Sequence, residues 1–223
     1  EGVTCTALNG GQLGGRRNIV YNGEMKVAQR STSEAGLGAA NGYFTLDRWN
    51  MIAGSTAGRF TMAQVADGPA GFANSLKITT TTADTSIAAG ELLLLTQAFE
   101  GQDLQHLEKG TATAKEITVS FWVKGNSAAI YVCELNDDDN SRVITQSFSV
   151  TTSWNRIELT FAADASGVLN DDNARSLMAI FWLHGGSTYT GGTFVSNTWA
   201  SKTEADRYAV ASRTSIFDST DRT

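Results

Sequence analysis

The sequence predicts an all-β fold, an antiparallel β-sandwich, and three observations carry that expectation. The first is strict alternation in two long segments. In residues 115–125, KEITVSFWVKG, the side chains of Ile117, Val119, Phe121 and Val123 share one face, and Thr118, Ser120, Trp122 and Lys124 share the other. Residues 154–164, WNRIELTFAAD, repeat the pattern, with Ile157, Leu159 and Phe161 alternating with Glu158, Thr160 and Ala162. Each segment therefore offers one apolar face to a shared core. The second observation is composition: 41% hydrophobic residues support a sizeable core. Abundant Thr, Ser and Gly, with Pro69 the one proline, suit strands joined by polar turns. The third is rhythm, because short apolar runs recur along the chain with turn residues between them.

Taken in order, residues 1–17 are Gly-rich and unpatterned, and read as a flexible arm or the end of a preceding module. The sandwich is expected over residues 18–223, and 223 residues suit one such domain. NIVYNGEMKVAQRSTS supplies a short apolar strand, an Asn22–Gly23 turn and a second extended piece. Further strands are expected at 43–52, 59–65, 75–81, 128–135, 143–150, 177–183 and 207–217. Residues 92–100 are ambiguous, since Leu92, Leu95 and Phe99 fall at helical spacing while Leu93, Leu95, Gln97 and Phe99 also alternate. Gly101 punctuates the pattern and favours a buried strand over 92–100, followed by one helical turn at 103–108.

Charge and cysteine usage narrow the partners. With 17 Lys plus Arg against 23 Asp plus Glu, the net charge of −6 argues against duplex nucleic acid, whose ligands carry basic stripes. No basic cluster exceeds the pair Arg16 and Arg17. No apolar run reaches the length of a membrane helix, so membrane insertion is not expected. Residues 1–15 have neither the basic start nor the apolar centre of a secretory signal. Cys5 and Cys133 stand far apart with no CxxC and no His at zinc-ligand spacing, which favours two free thiols.

Several short motifs keep a characteristic order: NIVYNGEMKVAQRSTS, YFTLDRWNM, DGPAGFANSLKIT, FEGQDLQHLEKGTATAKEITVSFWVKG and TTSWNRIELTF. In this order they resemble the jelly-roll, carbohydrate-binding-module-like virion and tail-fibre proteins of tailed bacteriophages, especially marine phages, over residues 18–223. The resemblance implies a sandwich of jelly-roll type, assembly with other virion proteins, a homotrimer, and location in the virion after assembly in the host cytoplasm. Two departures stand out. The family often has an aromatic residue where this chain has Lys109. It also usually continues past FDSTDRT into a last strand, so the sandwich is expected to lack its final strand within 18–223.

Residues able to carry chemistry are few. His106 and His184 lie in no nucleophile motif; His106 is expected on a short helical turn and His184 at a strand end. Asp137 to Asp139, and Asp171 with Asp172, read as solvated turns rather than a glycosidase pair. No catalytic residue and no hydrolytic activity are therefore expected. No cofactor is expected beyond a structural calcium ion, which the resemblance places near NGEMK with Glu24 as a weak candidate ligand. Glycan recognition needs aromatic platforms among adaptable polar groups. The loop 185–199, GGSTYTGGTFVSNTW, offers Tyr189, Phe194 and Trp199, although Phe194 and Trp199 also suit core positions. Trp49, Trp122, Trp154 and Trp182 fall within strand patterns and suit packing. The resulting expectation is a non-enzymatic virion protein, in a tail fibre, spike or capsid appendage, that binds host surface glycans. Two alternatives are an accessory carbohydrate-binding module of a secreted polysaccharide-degrading enzyme and a purely structural capsid decoration protein.

Overall fold

The computed structural model describes residues 18–223 together with a short pairing of β1 (Ala7–Leu8) with β2 (Gly11–Gln12). The arm expected over 1–17, and with it Cys5, otherwise lies outside the described residues. Eleven further strands follow: β3 (Ser33–Leu37), β4 (Asn50–Gly54), β5 (Arg59–Val65), β6 (Ser75–Thr82), β7 (Leu92–Glu100), β8 (Ile117–Val123), β9 (Ala129–Asp137), β10 (Arg142–Val150), β11 (Asn155–Phe161), β12 (Arg175–Gly185) and β13 (Ala200–Ser201). Among the described residues, a single turn of α-helix, α1 (Ser187–Thr190), and three short 3-10 turns are the helical content. Where one helical turn was expected at 103–108, two 3-10 turns occur, Gly101–Asp103 and Gln105–Leu107.

The strands form an antiparallel β-sandwich of jelly-roll type. One layer is a six-stranded sheet in the order β13-β10-β9-β12-β7-β4; the other holds the pair β11-β8 and the sheet β3-β5-β6. The layers meet through the apolar faces that alternation predicts. Phe121 of β8 packs edge-on against Phe148 of β10 and Phe181 of β12, each at 5.0 Å between centroids. Phe60 of β5 meets Phe217 at 6.3 Å. Leu159 and Phe161 are buried, whereas Phe121 and Val123 are half-buried because β8 pairs only with β11 among the described strands. Trp49 and Trp182 are buried, but Trp122 is 37% exposed on the outer face of β8. Trp154 stands at the surface, where its indole N–H donates to Asp67 and Lys124 lies 5.1 Å over its ring. Cys133 is a free, fully buried thiol whose ionisation burial opposes.

Three segments differ from the expected strands. Of residues 43–52 only the last three lie in a strand, as the start of β4, and 43–49 carry none. Residues 18–31 form no hairpin. Asn22 takes φ 51°, and its side chain accepts from the N–H groups of Lys26 and Val27 and donates to the carbonyls of Val27 and Asp47. The Gln97 amide then bonds both backbone groups of Tyr21, so side chains replace a ladder. Residues 207–217 form no strand either. Their backbone bonds go singly to different elements: Tyr208 N–H to Tyr189 O, Thr214 N–H to Ile130 O and Ile216 N–H to Leu183 O. The apolar residues Tyr208, Ile216 and Phe217 are buried because this segment crosses the ends of several strands. Farther on, Thr80 of β6 donates its N–H to Arg222 O and accepts from Asp221 N–H.

Candidate functional site

The site begins with an irregularity in β12. Phe181 pairs with Leu95 and Trp182 with Leu94, but His184 pairs with Leu93, so Leu183 is an extra residue in the strand. Such a bulge reverses the alternation after it. Trp182 therefore points to the outer face of the large sheet, and His184 points inward, where it meets Phe217 edge-on at 5.2 Å.

Around this bulge the loops 84–91, 185–190 and 208–215 enclose a cleft of about 430 Å³. Its lining includes Ile87, the hydroxyl residues Ser187, Thr190, Ser212, Thr214 and Ser215, and Arg213. Gly186 makes the close loop approach feasible: a Cβ there would fall 2.0 Å from Ala88 O. Its N–H donates to Glu91 O, and the N–H of Thr188 donates to Ala89 O. Tyr208 closes the floor, stacked on Trp182 at 5.7 Å, and donates its hydroxyl proton to Thr214 O at 2.6 Å. Beneath it the buried Glu134 accepts from Trp182 Nε1 at 3.0 Å and binds Arg207 through both oxygens, so the 207–208 segment is fixed to the sheet.

Behind the cleft runs a buried polar chain. Ser215 Oγ lies 2.7 Å from His184 Nδ1, and His184 Nε2 lies 3.1 Å from Glu91 Oε2. The other Glu91 oxygen accepts from Ala88 N–H at 3.0 Å. Asp84 adjoins the chain and accepts from Thr56, Ala57 N–H and Ser86 N–H. Burial pulls the His184 pKa below its ordinary value, and the carboxylates of Glu91 and Asp84 only partly oppose it, so the ring stays neutral at pH 7. A serine, an imidazole and a carboxylate thus follow one another in hydrogen-bonded order.

The residues named from sequence are dispersed. Tyr189 is half-buried and packs against Trp182 at 5.3 Å, beside the cleft rather than lining it. Phe194 and Trp199 are half-buried against the core elsewhere; Trp199 Nε1 donates to Ala162 O at 2.8 Å, and Lys109 sits 4.5 Å over its ring. A second hollow of about 40 Å³ near Val195 and Thr198 has room for little more than a water molecule. Glu24 is exposed and pairs with Lys26 at 2.5 Å. Among the described residues, no group of three His, Cys, Asp or Glu side chains is arranged to hold a metal. His106 is exposed on its 3-10 turn, as expected.

His184, by contrast, is fully buried in a hydrogen-bonded chain and does not merely end a strand. Asp137 also departs from the solvated turn expected of it. It is fully buried and receives the Lys109 ammonium, which donates as well to Asp164 and Gly167 O, each at 3.0 Å. Asp172 does behave as a turn residue, its carboxylate accepting from Ala174 N–H at 3.0 Å.

No protein-family model matches the chain, and no curated protein matches it. Among solved structures it is similar to one described as "CBM4 structure and function", with 17% identity and a TM-score of 0.43 over 73% of this chain and 87% of that one. It is also similar to the family 11 carbohydrate-binding module of the cellulosomal cellulase Lic26A-Cel5E of Clostridium thermocellum, with 14% identity and a TM-score of 0.38 over 66% and 84% of the two chains. A family 11 module from Clostridium thermocellum in complex with a beta-1,3-1,4-mixed-linked tetrasaccharide matches at 13% identity and a TM-score of 0.35, over 69% and 96%.

Proposed function

We propose that this chain is a glycan-binding module displayed on the virion of a tailed bacteriophage, in a tail fibre, spike or capsid appendage, and that it serves adsorption to host surface glycans. The observation that carries the binding role is the cleft itself. Five serine and threonine hydroxyls, a guanidinium, Tyr208 and the apolar Ile87 share a hollow of about 430 Å³. That volume lies within the roughly 300–1,000 Å³ of small-ligand sites. A sugar presents the complementary surface, hydroxyls that both donate and accept around apolar C–H patches. None of the lining residues is a carboxylate, so the acid and base of glycosidic cleavage have no place there. The resemblance of the motif order to that of phage fibre and virion proteins supports the location, with other virion proteins as partners and a homotrimer as the assembly. Several copies on one particle turn weak single-site affinities into firm attachment through raised local concentration.

The test is affinity electrophoresis of the purified chain through a panel of neutral and acidic polysaccharides. At least one should retard it, and the double substitution Thr190→Val, Ser212→Ala should weaken that retention about tenfold. Retardation by none of them would refute the glycan role. The same cleft would equally serve an accessory module of a polysaccharide-degrading enzyme. Detection of the chain in purified particles supports the virion reading, and a glycosidase domain in the same polypeptide supports the accessory reading.

A further inference from the structure

The glycan reading leaves one feature unused: a serine on the cleft wall backed by a buried imidazole and carboxylate. We propose that the cleft also hydrolyses acyl esters, with Ser215 as nucleophile, His184 as its general base and Glu91 as the residue that positions His184. Identifying the ester as one carried by a sugar rests on the glycan reading; the ester chemistry does not.

The mechanism uses one tautomer: Nε2 of His184 donates to Glu91 Oε2, and Nδ1 presents a lone pair to Ser215. Phe217 N–H donates to Ser215 Oγ at 3.0 Å and occupies one of its lone pairs, and in this tautomer the hydroxyl proton points at Nδ1. The orienting group is itself fixed, since Glu91 is 4% exposed and tied by Ala88 N–H. Ser215 remains half-exposed and lines the cleft, so a bound carbonyl can reach it. Burial of His184 keeps the ring neutral and able to accept a proton. Relative to the familiar serine hydrolase relay the two ring nitrogens exchange roles, which leaves the order of groups intact.

The reaction follows in two halves. Ser215 Oγ adds to the ester carbonyl carbon as its proton passes to Nδ1, and negative charge gathers on the carbonyl oxygen. Arg213 lines the same cleft, is exposed and forms no ion pair among the described residues, which makes it the cation available to that charge. The C–O bond to the alcohol then breaks, and the alcohol leaves with the proton from Nδ1. Water adds to the acyl-serine, giving its proton to Nδ1; the acid departs, and Ser215 Oγ regains that proton. Ester and water yield acid and alcohol, with no other reactant.

The experiment treats the purified full chain with p-nitrophenyl acetate, with an O-acetylated polysaccharide and with a fluorophosphonate probe. Intact mass and peptide mapping should find the probe on Ser215 of the wild type. Ester turnover should fall at least about 100-fold in Ser215→Ala, the usual scale for loss of a group acting in the transition state. A merely structural role for Glu91 would not move a pH profile. Glu91→Gln should lower kcat and shift the acid limb to lower pH, because loss of the carboxylate disfavours the imidazolium while Asp84 remains. Absence of probe on Ser215, or turnover unchanged in Ser215→Ala, overturns the proposal. Turnover of the simple ester by a chain that retains no polysaccharide would support the ester chemistry and remove the glycan reading.

Discussion

Replacing Lys109 with Met should destabilise the fold by the cost of stranding a buried charge. The ammonium is 4% exposed as a side chain and joins Asp137, at 0%, to Asp164, at 5%. Asp164 keeps a bidentate partner after the change, because Arg142 donates to both its oxygens at 2.8 and 3.0 Å. Asp137 keeps only the neutral N–H groups of Asn140, at 3.0 to 3.1 Å. Removing one partner of a buried pair typically costs about 3–5 kcal/mol, because the remaining charge has been taken out of water without compensation. For a chain of this size that corresponds to a fall in Tm of roughly 6–20 °C.

Urea unfolding followed by tryptophan fluorescence measures the loss directly. The diagnostic control is the double variant Lys109→Met, Asp137→Asn, which removes the stranded charge and should recover about half of it. Acid supplies a second control. Burial pushes the Asp164 carboxyl up, but hydrogen bonds from Arg142 and Lys109 outweigh it and hold its pKa below the usual carboxylate value of 3.8. A depressed carboxylate contributes stability above its unfolded pKa and loses it as pH falls through the folded one. The gap between wild type and Lys109→Met should therefore narrow on acidification below about pH 4. A loss under about 1 kcal/mol at pH 7, or a double variant no more stable than the single, would show that the cluster is too hydrated for this argument.

Phe121→Ala should cost about 2–3 kcal/mol in the same assay, below the 3–5 kcal/mol of a fully buried phenylalanine, because the ring is only half-buried. A loss below about 1 kcal/mol would mean that its contacts with Phe148 and Phe181 bind the layers little. Arg207→Met strands Glu134 beneath Trp182 and should raise hydrogen exchange through residues 187–215 more than in β8 and β11; uniform change would deny that this pair tethers the cleft wall. Stability should also decline as pH falls below about 6.5, since burial depresses the His184 pKa and the unfolded chain then binds the extra proton. His184→Asn should flatten that decline in a pH series of Tm values, and an unchanged slope would assign it to other groups.

The parts of the fold that were legible share one property: local alternation and tertiary environment agree. Residues 59–65 form β5 and residues 92–100 form β7 with the expected bounds, and β8 and β11 pair side by side with Phe121 opposite Ile157 and Val119 opposite Leu159. Periodicity failed where side chains took over the work of a ladder. Nothing in NIVYNG announces that Gln97, 76 residues away, will bond both backbone groups of Tyr21. Residues 207–217 carry apolar side chains at strand-like intervals, yet they are buried by crossing strand ends, and a pattern that reports burial cannot tell the two apart.

The cleft was hidden for a sharper reason. Continued alternation through residues 177–183 would set His184 beside Trp182 and Ile180 on the outer face of the sheet. A single extra residue, Leu183, turns it inward onto Ser215 and Glu91, which lie 31 and 93 residues away. The one local signal was Gly185–Gly186 directly after the histidine, the kind of pair that marks a close approach of backbones. A bulge beside glycines at a strand end is where a sheet re-aims a side chain. The proposed ester chemistry turns on the histidine in that position, whereas Phe194 and Trp199 of the following loop pack against the core. His184 packs edge-on against Phe217 and bonds both Ser215 and Glu91, and a buried imidazole needs both partners where an aromatic ring in its place would need neither.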